Sequence, residues 1–310
     1  MQRILVTGGA GFIGSHTVDL LLANHFQVIV LDNLVSGRLD YLDESHPYLT
    51  FVEGDILHVE LVSNIIQGCD AVLHLAALPS VPKSIEDPIG SLKVNLEGFL
   101  NVLQAIRSVN PACRLVYASS AAVYGESATL PCNDEEPLPE TALSPYALEK
   151  ATNERYAHLF SQLFGVKALG LRYFNVYGKR QDPNSPYSGV ISKFIENYQQ
   201  DKPITVFGDG KQSRDFVHVS DVARANWLAL QSDYTGVLNI ATGKPETLLD
   251  LVSYIENTGK QAADVQFAPK RAGDIAMSYA KTDKAQQHLH FQSETRLAQG
   301  IHSLLEIGYD

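Results

Sequence analysis

Apolar residues in the first half of the chain come in short runs separated by longer stretches of helical periodicity. Residues 4–7, 28–31, 49–53, 71–75 and 114–118 are bounded by turn-forming residues and read as strands. Two helical stretches are long. One follows Pro88 and runs to about Val109; the other follows Pro145 and runs to about Phe164, with Tyr156, Leu159, Phe160 and Leu163 at helical spacing. Strand and helix in alternation predict an α/β fold with a doubly wound parallel sheet. After Arg172 the alternation becomes irregular. The Pro-, Gly- and Asn-containing residues 179–189 open a second region, with a helix near 190–199 and a strand at 204–207. Residues 237–240 resemble another strand of the first sheet.

Composition narrows the classes. The chain has 310 residues with 45% hydrophobic content, enough for a large core and a smaller second domain. A net charge of -11 and no Lys/Arg run argue against nucleic acid, whose binding rests on clustered cations. Cys69, Cys113 and Cys132 are an odd number without metal spacing and read as reduced thiols, so neither a disulfide framework nor a metal site is expected. No apolar run is long enough for a bilayer, and Met1-Gln2-Arg3 enters a strand directly, leaving no room for a targeting segment. The expected location is the cytoplasm, with no membrane partner.

The first strand runs into Gly8-Gly9-Ala10-Gly11-Phe12-Ile13-Gly14 and then a helical pattern. Such glycines allow a tight turn, let backbone amides approach a pyrophosphate and let helix pack on strand, while the helix N-terminus favours negative charge. Asp32 ends the second strand about 20 residues on, where an acid accepts hydrogen bonds from ribose hydroxyls and repels the extra phosphate of NADP. Either feature alone is an ordinary turn; together they make NAD the expected cofactor. Asp55 and Ile56, after the third strand, fall near the adenine, although Gly54-Asp55 is also a turn.

Tyr146 and Lys150 stand four residues apart on one helical face. A cation beside a phenol stabilises the phenolate, so Lys150 is expected to lower the pKa of Tyr146 and make it a base. The same spacing is common on solvated helices. Here, however, the helix opens after Ser144-Pro145 and follows a strand ending in Ala118-Ser119-Ser120, whose carboxyl end faces the crevice of such a sheet.

These segments, with His74-Leu75-Ala76-Ala77, residues 119–125, 171–178 and 208–218, and Arg271-Ala272-Gly273-Asp274, resemble an extended short-chain dehydrogenase/reductase, and within it the UDP-hexose and UDP-N-acetylhexosamine 4-epimerases. The resemblance covers nearly the whole chain. It implies a Rossmann-type dinucleotide-binding domain over residues 1–174, rejoined by 212–242, and a smaller α/β substrate-binding domain over 175–310. It implies Tyr146 as the base at the sugar 4-hydroxyl, Ser120 bonded to the same oxygen, and Lys150 on the nicotinamide ribose. The implied cofactor shell is Gly8, Gly11, Phe12, Ile13, Gly14, Asp32, Asn33, Asp55 and Ile56. Leu75, Ala76, Ala77, Asn95, Tyr146, Lys150 and Tyr173 complete it.

Related dehydratases and decarboxylases carry acidic groups just after the residue matching Ser120; here Ala121 and Ala122 stand there, so that acid and base are missing. Reduction of a keto sugar stays open by fold, while the phosphate-binding and sugar-pocket segments resemble the epimerases better. Arg214 and Arg271 are placed on the diphosphate, where a planar fork binds bidentately, although surface ion pairs look alike. Ser80, Lys83, Ser84, Asn175, Val190 and Asp274 complete the implied UDP-sugar contacts, although a polar loop would look the same at the first three. Residues 180–191 look like the matching stretch of epimerases that prefer N-acetylated sugars. Ser278 falls where enzymes restricted to glucose and galactose carry tyrosine, and a small residue leaves room for an acetamido group; it is otherwise a neutral loop residue. The expected reaction is interconversion of UDP-N-acetylglucosamine and UDP-N-acetylgalactosamine, with UDP-glucose and UDP-galactose as further substrates. A reductase or dehydratase of nucleotide sugars, or a non-catalytic NAD-binding scaffold, are the alternatives. A homodimer through the two long helices is implied.

Overall fold

The computed structural model describes residues 2–126, 129–182, 189–270 and 275–307. In chain order it contains β1 (Arg3–Thr7), α1 (Phe12–Ala23), β2 (Gln27–Asp32), β3 (Leu49–Glu53), α2 (Val59–Ile66), β4 (Ala71–His74), α3 (Val81–Glu86), α4 (Pro88–Leu92), α5 (Gly98–Val109) and β5 (Arg114–Ser120). These are followed by α6 (Pro145–Phe164), β6 (Ala168–Tyr173), β7 (Asn175–Tyr177), α7 (Val190–Gln199), β8 (Ile204–Phe207), β9 (Ser213–His218), α8 (Val219–Gln231) and β10 (Gly236–Ile240). The remainder is β11 (Pro245–Thr247), α9 (Leu248–Gly259), β12 (Val265–Ala268), β13 (Met277–Ser278), α10 (Asp283–Leu289) and α11 (Leu297–Ile307).

The short apolar runs form one parallel sheet of seven strands, ordered β10-β6-β5-β4-β1-β2-β3. Parallel neighbours need helical crossovers, and these cover both faces, so the strands are buried on both sides and read as continuous apolar runs. On one face α1 and α8 pack over Val6, Val30, Leu73 and Leu171; on the other α2, α5 and α6 pack over Leu5, Leu31, Val72 and Leu115. Each fully buried aliphatic side chain contributes about 1.5–3 kcal/mol. β10 joins the sheet beside β6, with Ile240 opposite Tyr173, so the strand expected at 237–240 belongs to the first sheet. A second lobe has its own core, with Phe194, Ile195, Leu251, Ile255 and Ile301 contributed by α7, α9 and α11.

The strand order reverses at β1, which lies between β2 and β4. Their following loops diverge there and open the crevice at the carboxyl ends where such sheets bind ligands. The two long helices match their predicted spans, with one addition. The run from Pro88 to Val109 contains a π-helical turn at Lys93–Glu97, a feature frequent at functional sites. In α6, Ser144 caps the N-terminus by accepting from the Ala147 amide at 3.1 Å, Pro145 opens the first turn, and Gly165 at φ 71° ends the helix. Among the described residues no helix is long and apolar enough to cross a membrane, and the three cysteines are free and buried.

Candidate active site

Gly8 has φ +71°, and a Cβ there would lie 2.7 Å from the Ala76 amide nitrogen, so glycine lets the loops after β1 and β4 touch. A Cβ on Gly14 would meet the Gly8 carbonyl at 2.1 Å, which is why α1 can start so close to β1. Leu75 donates its amide to Thr7 O, and Ala76 its amide to Thr7 Oγ1. Thr7 Oγ1 also shares a 2.8 Å bond with His74 Nδ1, whose pKa burial pushes down to about 3, so this imidazole is neutral. Gly11 caps α1 without a side-chain bond, leaving the amides of Phe12, Ile13 and Gly14 as a positive mouth.

Asp32 ends β2 with one oxygen accepting from the Ala10 amide at 3.0 Å and the other from Leu34 at 2.9 Å. The acid is thereby bonded to the glycine loop itself, and lone pairs remain for ribose hydroxyls. Asn33 reaches Asp55 at 2.9 Å, and Ile56 packs against Gly98. A close-packed glycine cradle, an open helix end and an anchored acid at this spacing fit a dinucleotide.

Across the crevice, Tyr146 lies in the first turn of α6 and Ser120 ends β5, close enough for the serine to act on the phenol's pKa. Ser120 Oγ also accepts from the Ala122 amide at 3.2 Å. Lys150 Nζ donates to Ala118 O at 2.9 Å and stands 5.8 Å from the Tyr146 ring centre. Burial raises the Tyr146 hydroxyl above its ordinary value, Ser120 pulls it down and Glu149 pushes it further up. This is opposite to the lowering expected from Lys150: the ammonium is turned to a carbonyl, and loss of water around the phenol outweighs it. Burial also lowers Lys150 to about 8, against the pull of Glu149 and Glu154.

Several of the expected contact residues make hydrogen bonds within the protein. Ser84 is fully buried, and its hydroxyl accepts from the Tyr146 amide at 3.1 Å while donating to Val81 O, so it ties α3 to the first turn of α6. Ser80 is the buried cap of α3, bonded to the Lys83 amide, and Lys83 itself is partly exposed and pairs with Glu86 at 3.6 Å. Asn95 lies in the π-helical turn with its amide engaged by Leu78, Ser91 and Glu149. Tyr173 donates its hydroxyl to Asn226 at 2.5 Å beneath the sheet end. Arg271, Asp274 and residues 183–188 lie outside the described residues.

On the second lobe, β11 and β13 flank β9, with β7 pairing its far end, and β13 sets Ser278 directly opposite Arg214. Asn175 donates to Asp215 O at 3.3 Å, and Val190 opens α7. Ala121 and Ala122 form the turn after Ser120 and bring no acid or base there.

Two groups below the site were not singled out by sequence reasoning. Glu154 accepts from Ser119 at 2.5 Å and from Arg172 at 2.8 and 2.7 Å, and Arg172 also donates to Tyr124 at 2.8 Å. The signal was available, since Glu154 stands one turn beyond Lys150 on the same face. Glu149 is the second group, buried and bonded to Ser91 and Asn95.

Comparison with known proteins follows the same geometry. A model of the NAD dependent epimerase/dehydratase family matches residues 4–241. The UDP-glucose 4-epimerase of Mycolicibacterium smegmatis is 33% identical over 309 residues, covering 98% of each chain. The UDP-N-acetylglucosamine 4-epimerase of Methanobrevibacter ruminantium, solved with UDP-N-acetylmuramic acid, superposes with a TM-score of 0.94 at 37% identity over 98% of this chain and 97% of that one. The Thermus thermophilus UDP-glucose 4-epimerase, solved with NAD, gives 0.88 at 38% identity over 98% of both.

Proposed function

The chain belongs to the NAD dependent epimerase/dehydratase family and is an NAD-dependent UDP-sugar 4-epimerase, and from that premise we propose that it acts on UDP-N-acetylglucosamine and UDP-N-acetylgalactosamine, and on UDP-glucose and UDP-galactose, through a 4-keto sugar. The observation that carries the reaction type is Tyr146 set against Ser120, which draws the phenol's pKa down, beside two alanines that bring no second acid.

NAD, when bound, supplies a hydride acceptor and donor. The amides of Phe12, Ile13 and Gly14, with Gly11 at the turn before them, would hold its pyrophosphate and Asp32 its adenosine ribose, with Asn33, Asp55, Ile56 and Leu75–Ala77 around it. Tyr146 takes the proton of the sugar 4-hydroxyl on its phenolic oxygen and returns it in the second half-reaction, while Ser120 bonds the same sugar oxygen. Lys150, held by Ala118 O, carries the positive charge that favours the phenolate and donates to the nicotinamide ribose. Because base and acid are the same phenol, no other residue has to change protonation over a full turnover. Arg214 and Arg271 hold the diphosphate, with Asn175 and Lys83 as further polar contacts.

The acetamido preference rests on Ser278. It lies opposite Arg214, so a large side chain there would enter the volume next to the diphosphate. Incubating the protein with each UDP-sugar should give the 4-epimer, and Ser278→Tyr should depress turnover of the N-acetylated pair about 10-fold or more relative to UDP-glucose, the scale of a steric discrimination. No epimer from any substrate would sink the reaction, and equal losses on both would remove Ser278 from specificity.

A homodimer is part of this reading. Ile89 is 65% exposed and Leu163 62%, and with Ile85, Leu92, Leu148 and Leu159 they leave a wide apolar face on α3, α4 and α6. Sedimentation at micromolar concentration is expected to give twice the 34.0 kDa chain mass, and a monomer there would exclude the dimer.

A further inference from the structure

We propose that Glu149 is a positioning residue for Tyr146 and Lys150, its tethered carboxylate supplying the fixed negative charge against which Lys150 stays an ammonium. This rests on the roles given to those two residues above. Glu149 precedes Lys150 in α6, follows Tyr146 by three residues and is only 4% exposed. One oxygen accepts from Ser91 Oγ at 2.8 Å and Asn95 Nδ2 at 2.7 Å; the other is buried with no hydrogen bond. Ser91 belongs to α4 and Asn95 to the π-helical turn, where it also accepts from the Leu78 amide at 2.7 Å, so the carboxylate is fastened to the loop after β4.

A buried carboxylate with a bare oxygen is costly unless a cation lies nearby. The charges around it single one out. Glu154, one turn beyond Lys150, is saturated by Arg172 and Ser119 and so is already balanced. His74 of β4 is neutral and bonded to Thr7. Tyr146 is uncharged as the phenol and carries a charge only as the phenolate, the form that takes the sugar proton. Lys150, 4% exposed and bonded only to a carbonyl, is the cation left without a contact partner, and Glu149 the anion left without one. Among the described residues no contact ion pair joins them, so the charge acts through space from an adjacent helical position. Of the charges opposing burial at Lys150, Glu149 is the largest, and the same charge raises Tyr146.

Glu149→Gln keeps an oxygen acceptor for Ser91 and Asn95 and removes the charge, with an amide NH2 in place of the bare oxygen. Both groups then titrate lower. The alkaline limb of the pH–rate profile, where Lys150 loses its proton, should move down by about one pH unit. The ultraviolet signal of tyrosinate, isolated by subtracting the Tyr146→Phe protein and needing no turnover, should also set in at lower pH. Glu149→Asp keeps the charge and should leave both positions near wild type. A Glu149→Gln protein with reduced kcat or Tm but an unmoved limb and unmoved tyrosinate onset overturns the proposal and makes Glu149 a packing residue. If that variant does not fold, carboxyl-carbon NMR of wild type decides: an ionised Glu149 at neutral pH supports the charge, and a neutral acid refutes it. A wild type that epimerises no UDP-sugar defeats the functional reading instead, whereas an active wild type with an unmoved variant defeats this proposal alone.

Discussion

Tyr146→Phe is expected to lower kcat for 4-epimerisation by about 10²–10⁴-fold, the range that a positioned acid–base group contributes. The substitution removes one oxygen. The Tyr146 contact that orders the first turn of α6 is its backbone amide on Ser84, which phenylalanine keeps, and the ring still packs 5.8 Å from Lys150. Protein stability and bound NAD should therefore stay near wild type, as unfolding curves and cofactor extraction would report. Ser120→Ala should cost less, because it loses a partner of the reacting oxygen and leaves the base in place. Tyr146→Phe at wild-type kcat would remove the phenol from the chemistry. Lys150 sharpens the contrast: burial already brings its ammonium down to about 8, so activity should fall as pH rises through that value.

The sheet was legible because parallel strands buried on two faces must be apolar throughout, and every one of residues 4–7 is buried in β1. Proline marked the start of both long helical runs, at Pro88 and Pro145, for the same local reason that it opens a first turn. The glycine loop, Asp32, Tyr146, Lys150 and Ser120 were visible as spacings within one element or at a strand end. What could not be read was the direction in which side chains on different elements spend their hydrogen bonds. Ser84, Asn95 and Tyr173 have the residue types of ligand contacts, and the fold uses each of them internally, on Tyr146, Glu149 and Asn226. The raised pKa of Tyr146 was missed for a related cause, since burial is a property of the packed molecule and the Tyr-x-x-x-Lys spacing reports only nearness of charge. The π-helical turn at Lys93–Glu97 leaves apolar spacing almost unchanged and so escapes a periodicity search.

Arg172→Met should be the most destabilising single change below the site, by about 3–5 kcal/mol, the usual cost of breaking a buried ion pair from one side. The pair is almost fully enclosed, with side chains 4% and 7% exposed. Without the guanidinium, Glu154 keeps only Ser119, and Tyr124 loses the donor at 2.8 Å while still bonded to Asn239. The penalty is desolvation of a stranded carboxylate, so it should largely disappear in Arg172→Met/Glu154→Met, where apolar atoms replace both charges. Urea unfolding of the single and double variants measures the difference; a single variant that loses under about 1 kcal/mol, as an exposed pair would, refutes the claim. The same experiment has a functional arm. Glu154 ties α6 to Ser119, the residue before Ser120, and Lys150 ties α6 to Ala118, so the strand end that carries Ser120 and the helix that carries Tyr146 are pinned together at two adjacent residues. The double variant, stable but missing one pin, should keep its KM for the UDP-sugar and lose kcat, because the phenol and the serine hydroxyl must meet on one sugar oxygen.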